Sequence, residues 1–173
     1  MNLPNRLTLF RLLLVPVFTF AVLLDVPGGA YVGAVVFALA SITDGLDGYI
    51  ARTRNQVTKF GKLMDPIADK LLVTAALLCL VQLGKMTAWP ALAIIGREFA
   101  VSGLRMIAAS EGIVISASQW GKLKTMSQIV AVLALLLEAG WANWFLWFTV
   151  VATVISGVDY FIKAQDVLRS SMK

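Results

Sequence analysis

The stretch "DGLDGYIARTRNQVTKFGKLMDPIADK" (residues 44–70) sets four aspartates, Asp44, Asp47, Asp65 and Asp69, into a chain that is 59% hydrophobic and only 14% charged. Apolar runs flank it, "GGAYVGAVVFALASIT" (residues 28–43) before and "LLVTAALLCL" (residues 71–80) after. A stretch of this kind reads as the turn between two helices at one surface of a bilayer. Charge is costly there, so four carboxylates so close together need a reason.

Working outward, the 173 residues leave room for six spans, at roughly 20 residues each with short connections. The apolar runs place them near 7–25, 29–52, 66–84, 88–110, 120–138 and 142–164. The expected fold is an all-α integral membrane protein of six transmembrane helices, preceded by a short N-terminal interfacial helix. No long polar linker or internal repeat interrupts it, so one domain over residues 1–173 is expected. The first apolar run lacks a small-residue cleavage site and should be retained. Trp89, Trp141, Trp144 and Trp147 read as interfacial anchors.

Charge fixes the expected orientation. With the N-terminus in the cytoplasm, that side receives Arg6, Arg11, Arg52, Arg54, Lys59, Lys62, Lys70, Lys122, Lys124, Lys163, Arg169 and Lys173. The other side receives Lys85, with Asp25 and Glu138. This asymmetry predicts both termini, and the aspartate-bearing turn, on the cytoplasmic face. A basic inner face suits anionic membrane lipids, and nucleic acid is a poor partner because the charges sit at span ends. The lone Cys79 excludes a disulfide within the chain. The absence of histidine removes the commonest general base and zinc ligand.

Asp44 and Asp47 are three residues apart and Asp65 and Asp69 four, so each pair shares one face of its helix. Converging carboxylates in a partly desolvated site cannot all ionise without positive charge among them. With no sulfur or imidazole donors, hard cations such as Mg²⁺, Mn²⁺ or Ca²⁺ suit the set. Gly45, Gly48 and Gly61 let another group approach the backbone. Together with Arg52 they suggest a phosphate or pyrophosphate substrate. The alternative is that the aspartates cap helices and pair with Arg52, Arg54, Lys62 and Lys70.

A second block, "GREFAVSGLRMIAASEG" (residues 96–112), puts Arg97 and Arg105 eight residues apart on one span, and Lys122 and Lys124 follow it. Arginine within a span faces the bundle interior or a water-filled cavity, and guanidinium matches phosphate through paired hydrogen bonds. An acceptor that itself carries phosphate is therefore expected. Neutralisation by Glu98 or Glu111 is the competing reading. Asn5, Thr8 and Arg11, three apart, form one face that either anchors the N-terminal helix or closes over the site.

The first stretch resembles the signature of the CDP-alcohol phosphotransferase family, D-x2-D-G-x2-A-R-x8-G-x3-D-x3-D. Asp44, Asp47, Gly48, Ala51, Arg52, Gly61, Asp65 and Asp69 occupy its eight positions with every spacing kept. The resemblance implies transfer of a substituted phosphoryl group from a CDP-linked lipid to an alcohol, with release of CMP. It implies two divalent ions, Mg²⁺ or Mn²⁺, on Asp44, Asp47, Asp65 and Asp69, and Asp69 as the base for the acceptor hydroxyl. It further implies a nucleotide site of Asp44, Gly48, Ala51, Arg52 and Gly61, and a homodimer. "NLPNRLTLFRLLLVPVF" (residues 2–18), the 96–112 block and "GKLKT" (residues 121–125) look like the bacterial branch that makes phosphatidylglycerophosphate. That branch implies CDP-diacylglycerol as donor and sn-glycerol 3-phosphate as acceptor, in a bacterial inner membrane. Siblings using inositol phosphate or serine are alternatives, and a small cation transporter is a rival from another class.

Overall fold

A computed structural model describes residues 3–24, 26–53, 59–110, 113 and 119–165. Within these, the side chains of 3–7, 44–53, 59–63, 65, 66, 69 and 110 lie outside the description. Six helices are present among the described residues: α1 (Leu3–Leu23), α2 (Gly29–Thr53), α3 (Lys59–Gln82), α4 (Ala88–Ser110), α5 (Gln119–Leu136) and α6 (Ala142–Lys163). The all-α fold is therefore as expected, with helices close to the six predicted positions.

Two boundaries differ from the expectation. Among the described residues no separate interfacial helix precedes α1, because Leu3–Leu23 is one helix. Nothing between Asn5 and Leu12 breaks it, and Pro4 falls in the first turn, where its missing N–H is unneeded. The third helix begins at Lys59, well before Pro66. Pro66 therefore sits inside the helix, where a single lost i→i−4 bond is tolerated when the apolar turns after it are held by packing.

Of these helices, Ala142–Lys163 alone among the described residues is long and apolar enough by itself to cross a membrane. Within the described residues, the apolar parts of the first three run Thr8–Leu23, Gly29–Thr43 and Lys70–Gln82. In α4 the charged Arg97, Glu98 and Arg105 interrupt the apolar run.

The chain forms two compact units, Met1–Lys85 with Val132–Ala139, and Met86–Ala131 with Gly140–Lys173. In the first unit α1 packs along both α2 and α3. Its inner face is Thr8, Arg11, Val15, Phe18 and Val22, all buried, and its outer face is Phe10, Leu13, Val17 and Phe20, all exposed. Each set recurs at helical spacing, and both faces are mostly apolar, as expected where lipid replaces water. Phe18 and Phe37 of α2 are fully buried, with ring centroids 5.8 Å apart. A Cβ on Gly33 would collide with the Val22 side chain, so this glycine sets the approach of α1 to α2.

The far ends of α3 and α5 meet. α3 closes with Gly84 in the left-handed region at φ 69°, its N–H donating to Val81 O and that of Lys85 to Leu80 O. This is a Schellman cap. α5 repeats the pattern, the N–H groups of Glu138 and Ala139 donating to Leu135 and Ala134, but with a non-glycine residue, Glu138, at φ 54°. The Lys85 Nζ lies 2.9 Å from the Glu138 carboxylate and donates to Leu136 O at 3.1 Å. A cation so placed complements the carbonyl end of α5.

In the second unit α4 packs on α6. Thr149 ties α6 to α5 by donating to Ser127 O at 3.2 Å. Several hydroxyls, among them Ser41, Thr43 and Ser102, turn back onto the carbonyl four residues earlier in their own helix. That is how a hydroxyl is satisfied where no water reaches it.

Candidate functional site

The four aspartates stand on two helices of the first unit. Asp44 and Asp47 are one turn apart near the C-terminal end of α2, and Asp65 and Asp69 one turn apart in the first half of α3. The backbone thus bears out the reading that each pair lies along one side of a helix. The side chains of Asp44, Asp47, Gly48, Ala51, Arg52, Gly61, Asp65 and Asp69 lie outside the described residues. As a donor set, four carboxylates and no nitrogen or sulfur fit Mg²⁺ or Mn²⁺. Among the described residues no group of three acidic, histidine or cysteine side chains comes together.

Thr8 and Arg11 are both buried, each 1% exposed, on the face of α1 that packs within the first unit. Asn5 lies outside the described side chains. A buried Arg11 does not suit an anchor lying in the membrane surface, whose cations face water.

The basic cluster of the second unit is resolved atom by atom. Arg97 of α4 donates from Nη2 to Ser156 Oγ of α6 at 2.6 Å and from Nη1 to Glu98 Oε1 at 3.4 Å. Glu98 also pairs with Lys124 Nζ of α5. All three side chains are largely buried, at 12%, 13% and 6% exposure for Arg97, Glu98 and Lys124. Arg105, two turns along α4, donates to the Tyr160 hydroxyl at 3.2 Å. The guanidinium carbons of Arg97 and Arg105 lie 5.4 Å and 5.2 Å from the centroid of the Tyr160 ring. The eight-residue spacing therefore does bring the two arginines to one place.

Of the two predicted lysines, Lys124 is buried in this cluster and Lys122 is exposed. Two positions along a helix turn through about 200°, so the pair could not face the same way. Glu98 neutralises part of the cluster, as the competing reading expected of it. Among the described residues, Arg97, Arg105 and Lys124 against Glu98 sum to two net positive charges.

Sequence reasoning passed over Ser156 and Tyr160. A signal was present: Thr149, Thr153, Ser156 and Tyr160 recur at helical spacing in the most apolar span, and all four are buried. Arg97 Nε, Gln128 Nε2 and Thr153 Oγ1 are buried without a hydrogen-bond partner among the described residues. Native interiors rarely leave such atoms unpaired, so polar groups of a ligand or water belong beside them.

A family model described as CDP-alcohol phosphatidyltransferase matches residues 1–155. A CDP-diacylglycerol–glycerol-3-phosphate 3-phosphatidyltransferase of Bacillus subtilis (strain 168) is 45% identical over 98% of this chain and 98% of its own. One of the same name from Rickettsia bellii (strain RML369-C) is 41% identical over 92% of this chain and 93% of its own. A probable phosphatidylglycerophosphate synthase of Mycobacterium tuberculosis (strain ATCC 25618 / H37Rv) is 42% identical, covering 94% of this chain and 81% of its own.

Proposed function

The chain belongs to the CDP-alcohol phosphatidyltransferase family, and we infer that it moves the phosphatidyl group of CDP-diacylglycerol onto sn-glycerol 3-phosphate. The products are phosphatidylglycerophosphate and CMP. The observation that carries the choice of acceptor is similarity over nearly the whole chain to a relative named for that reaction. The basic cluster supports it independently. Two net positive charges on α4 and α5 match a phosphate monoester, which carries about −1.5 to −2 at neutral pH. Serine would leave those charges uncompensated, and family membership displaces the transporter reading.

Asp44, Asp47, Asp65 and Asp69 would hold the divalent ions, with Gly48, Ala51, Arg52 and Gly61 around the nucleotide. When bound, such ions supply Lewis-acid stabilisation of charge on the pyrophosphate and the departing CMP. Asp69 takes the proton from the acceptor hydroxyl as its oxygen attacks the donor's β-phosphorus, the phosphorus on the diacylglycerol side. The bond from that phosphorus to the bridging oxygen of CMP breaks, and no covalent enzyme intermediate is required. Arg97, Arg105 and Lys124 hold the phosphate that the acceptor brings and keeps. Lys122, being exposed, contributes only to the positive surface.

The setting we infer is a bacterial inner membrane crossed six times, with both termini and the site on the cytoplasmic face. The charge asymmetry of the sequence supports this, as does the meeting of α3 and α5 at their C-terminal ends, which alternating spans require. The many exposed side chains such as Phe10, Leu13, Phe20 and Trp144 would face lipid.

Purified protein in detergent with CDP-diacylglycerol and Mg²⁺ or Mn²⁺ tests the reading through CMP release. Glycerol 3-phosphate should be required, inositol phosphate and serine should not replace it, and Asp69→Asn should be inactive. Equal release with another acceptor would overturn the acceptor assignment.

A further inference from the structure

We propose that Tyr160 and Ser156 of α6 are positioning residues that hold Arg97 and Arg105 as a matched pair for the acceptor's phosphate. This rests on the reading of the basic cluster given above. A guanidinium inside an apolar span has long freedom to turn toward the membrane surface and water. Two on one helix, two turns apart, also repel each other. Something must keep both in register, and α6 carries the groups that do so.

Arg97 is held at three points: the Ser156 hydroxyl at 2.6 Å, Glu98 at 3.4 Å, and the Tyr160 ring at 5.4 Å. Arg105 meets the Tyr160 hydroxyl at 3.2 Å and the same ring at 5.2 Å. Tyr160 is 3% exposed and Ser156 fully buried, so neither is free to move away. The electron-rich face of one ring thus attracts both cations and offsets their repulsion. Gly157 completes the seat. A Cβ there would stand 3.2 Å from Arg97 Cγ, so the missing side chain lets the arginine stem lie across α6. Tyr160 itself need touch no substrate, since it acts through the arginines.

Steady-state kinetics of Tyr160→Phe, Tyr160→Leu and Ser156→Ala test this, with KM measured separately for glycerol 3-phosphate and CDP-diacylglycerol. Inhibition by inorganic phosphate, competitive with the acceptor, is the second readout. Loss of one hydrogen bond to a charged group should raise KM for glycerol 3-phosphate about tenfold in Tyr160→Phe and Ser156→Ala. Tyr160→Leu, which also loses the ring, should raise it further. The inhibition constant for phosphate should rise in parallel, while kcat and KM for the donor stay near wild type. Tyr160→Phe keeps the packing of the ring, so it remains informative should the leucine variant fail to fold. An unchanged acceptor KM in Tyr160→Phe and Ser156→Ala would overturn the proposal. So would a parallel change for both substrates, which marks a merely structural role. If the wild-type protein shows no glycerol 3-phosphate-dependent CMP release, the functional reading falls and the proposal falls with it. Wild-type activity with unmoved KM values sinks the proposal alone.

Discussion

Replacing Glu98 by glutamine should both weaken the protein and tighten its hold on the acceptor. Its carboxylate sits 3.4 Å from Arg97 and is paired with Lys124, and all three side chains are at least 87% buried. Glutamine keeps the shape but removes the charge, so two buried cations lose this counter-charge. Removing one partner of a buried ion pair costs about 3–5 kcal/mol, because the remaining charge stays desolvated. For a chain of this length each kcal/mol moves the midpoint of thermal unfolding by about 2–4 °C, so a drop of about 10 °C is expected in detergent. The cluster meanwhile gains one net positive charge, and an internal competitor for phosphate is gone. Glycerol 3-phosphate should therefore raise the midpoint of Glu98→Gln more than that of wild type, and its KM should fall severalfold. Adding Lys124→Met to Glu98→Gln should restore much of the lost stability, since one buried cation is removed with its counter-charge. Thermal unfolding of the four forms, with and without acceptor, reads all of this. A midpoint within about 2 °C of wild type, or strictly additive effects of the two substitutions, would refute the reasoning.

Other expectations follow from the same geometry. Gly33→Val should destabilise the first unit by about 1–3 kcal/mol through overpacking against Val22, and Val22→Ala in the same chain should return part of it; thermal unfolding of the single and double variants checks this. Glu138→Gly should be close to neutral, because relief of a left-handed φ of 54° offsets loss of the ion pair to Lys85, each worth about 1 kcal/mol. Lys124→Ala should raise the acceptor KM at least tenfold whereas Lys122→Ala leaves it within about twofold, as steady-state rates will show. Chelation should abolish CMP release, with recovery on adding Mg²⁺ or Mn²⁺ but not Zn²⁺.

Much of this protein was legible in the order of its residues. Hydrophobic runs of about 20 residues announce helices whatever their neighbours do. α4, predicted over 88–110, runs Ala88–Ser110. The aspartate signature is equally local, since helical spacing alone aligns Asp44 with Asp47 and Asp65 with Asp69 on one side of each helix. The starts of α1 and α3 were misjudged because prolines and polar residues near a helix end are weak stops, which packing of the adjoining turns overrides.

Only the tertiary structure decided what surrounds the arginines. Arg97 and Arg105 could be assigned to one face of α4 from spacing, but the sequence could not say that Tyr160, 55 residues beyond Arg105, lies beneath both. Nor could it separate Lys124, buried on Glu98, from its exposed neighbour Lys122. Local propensity and hydropathy are properties of neighbouring residues, and they specify elements and spacing. Which cation finds which anion, ring or hydroxyl depends on contacts between distant segments, and those exist only once the helices have packed.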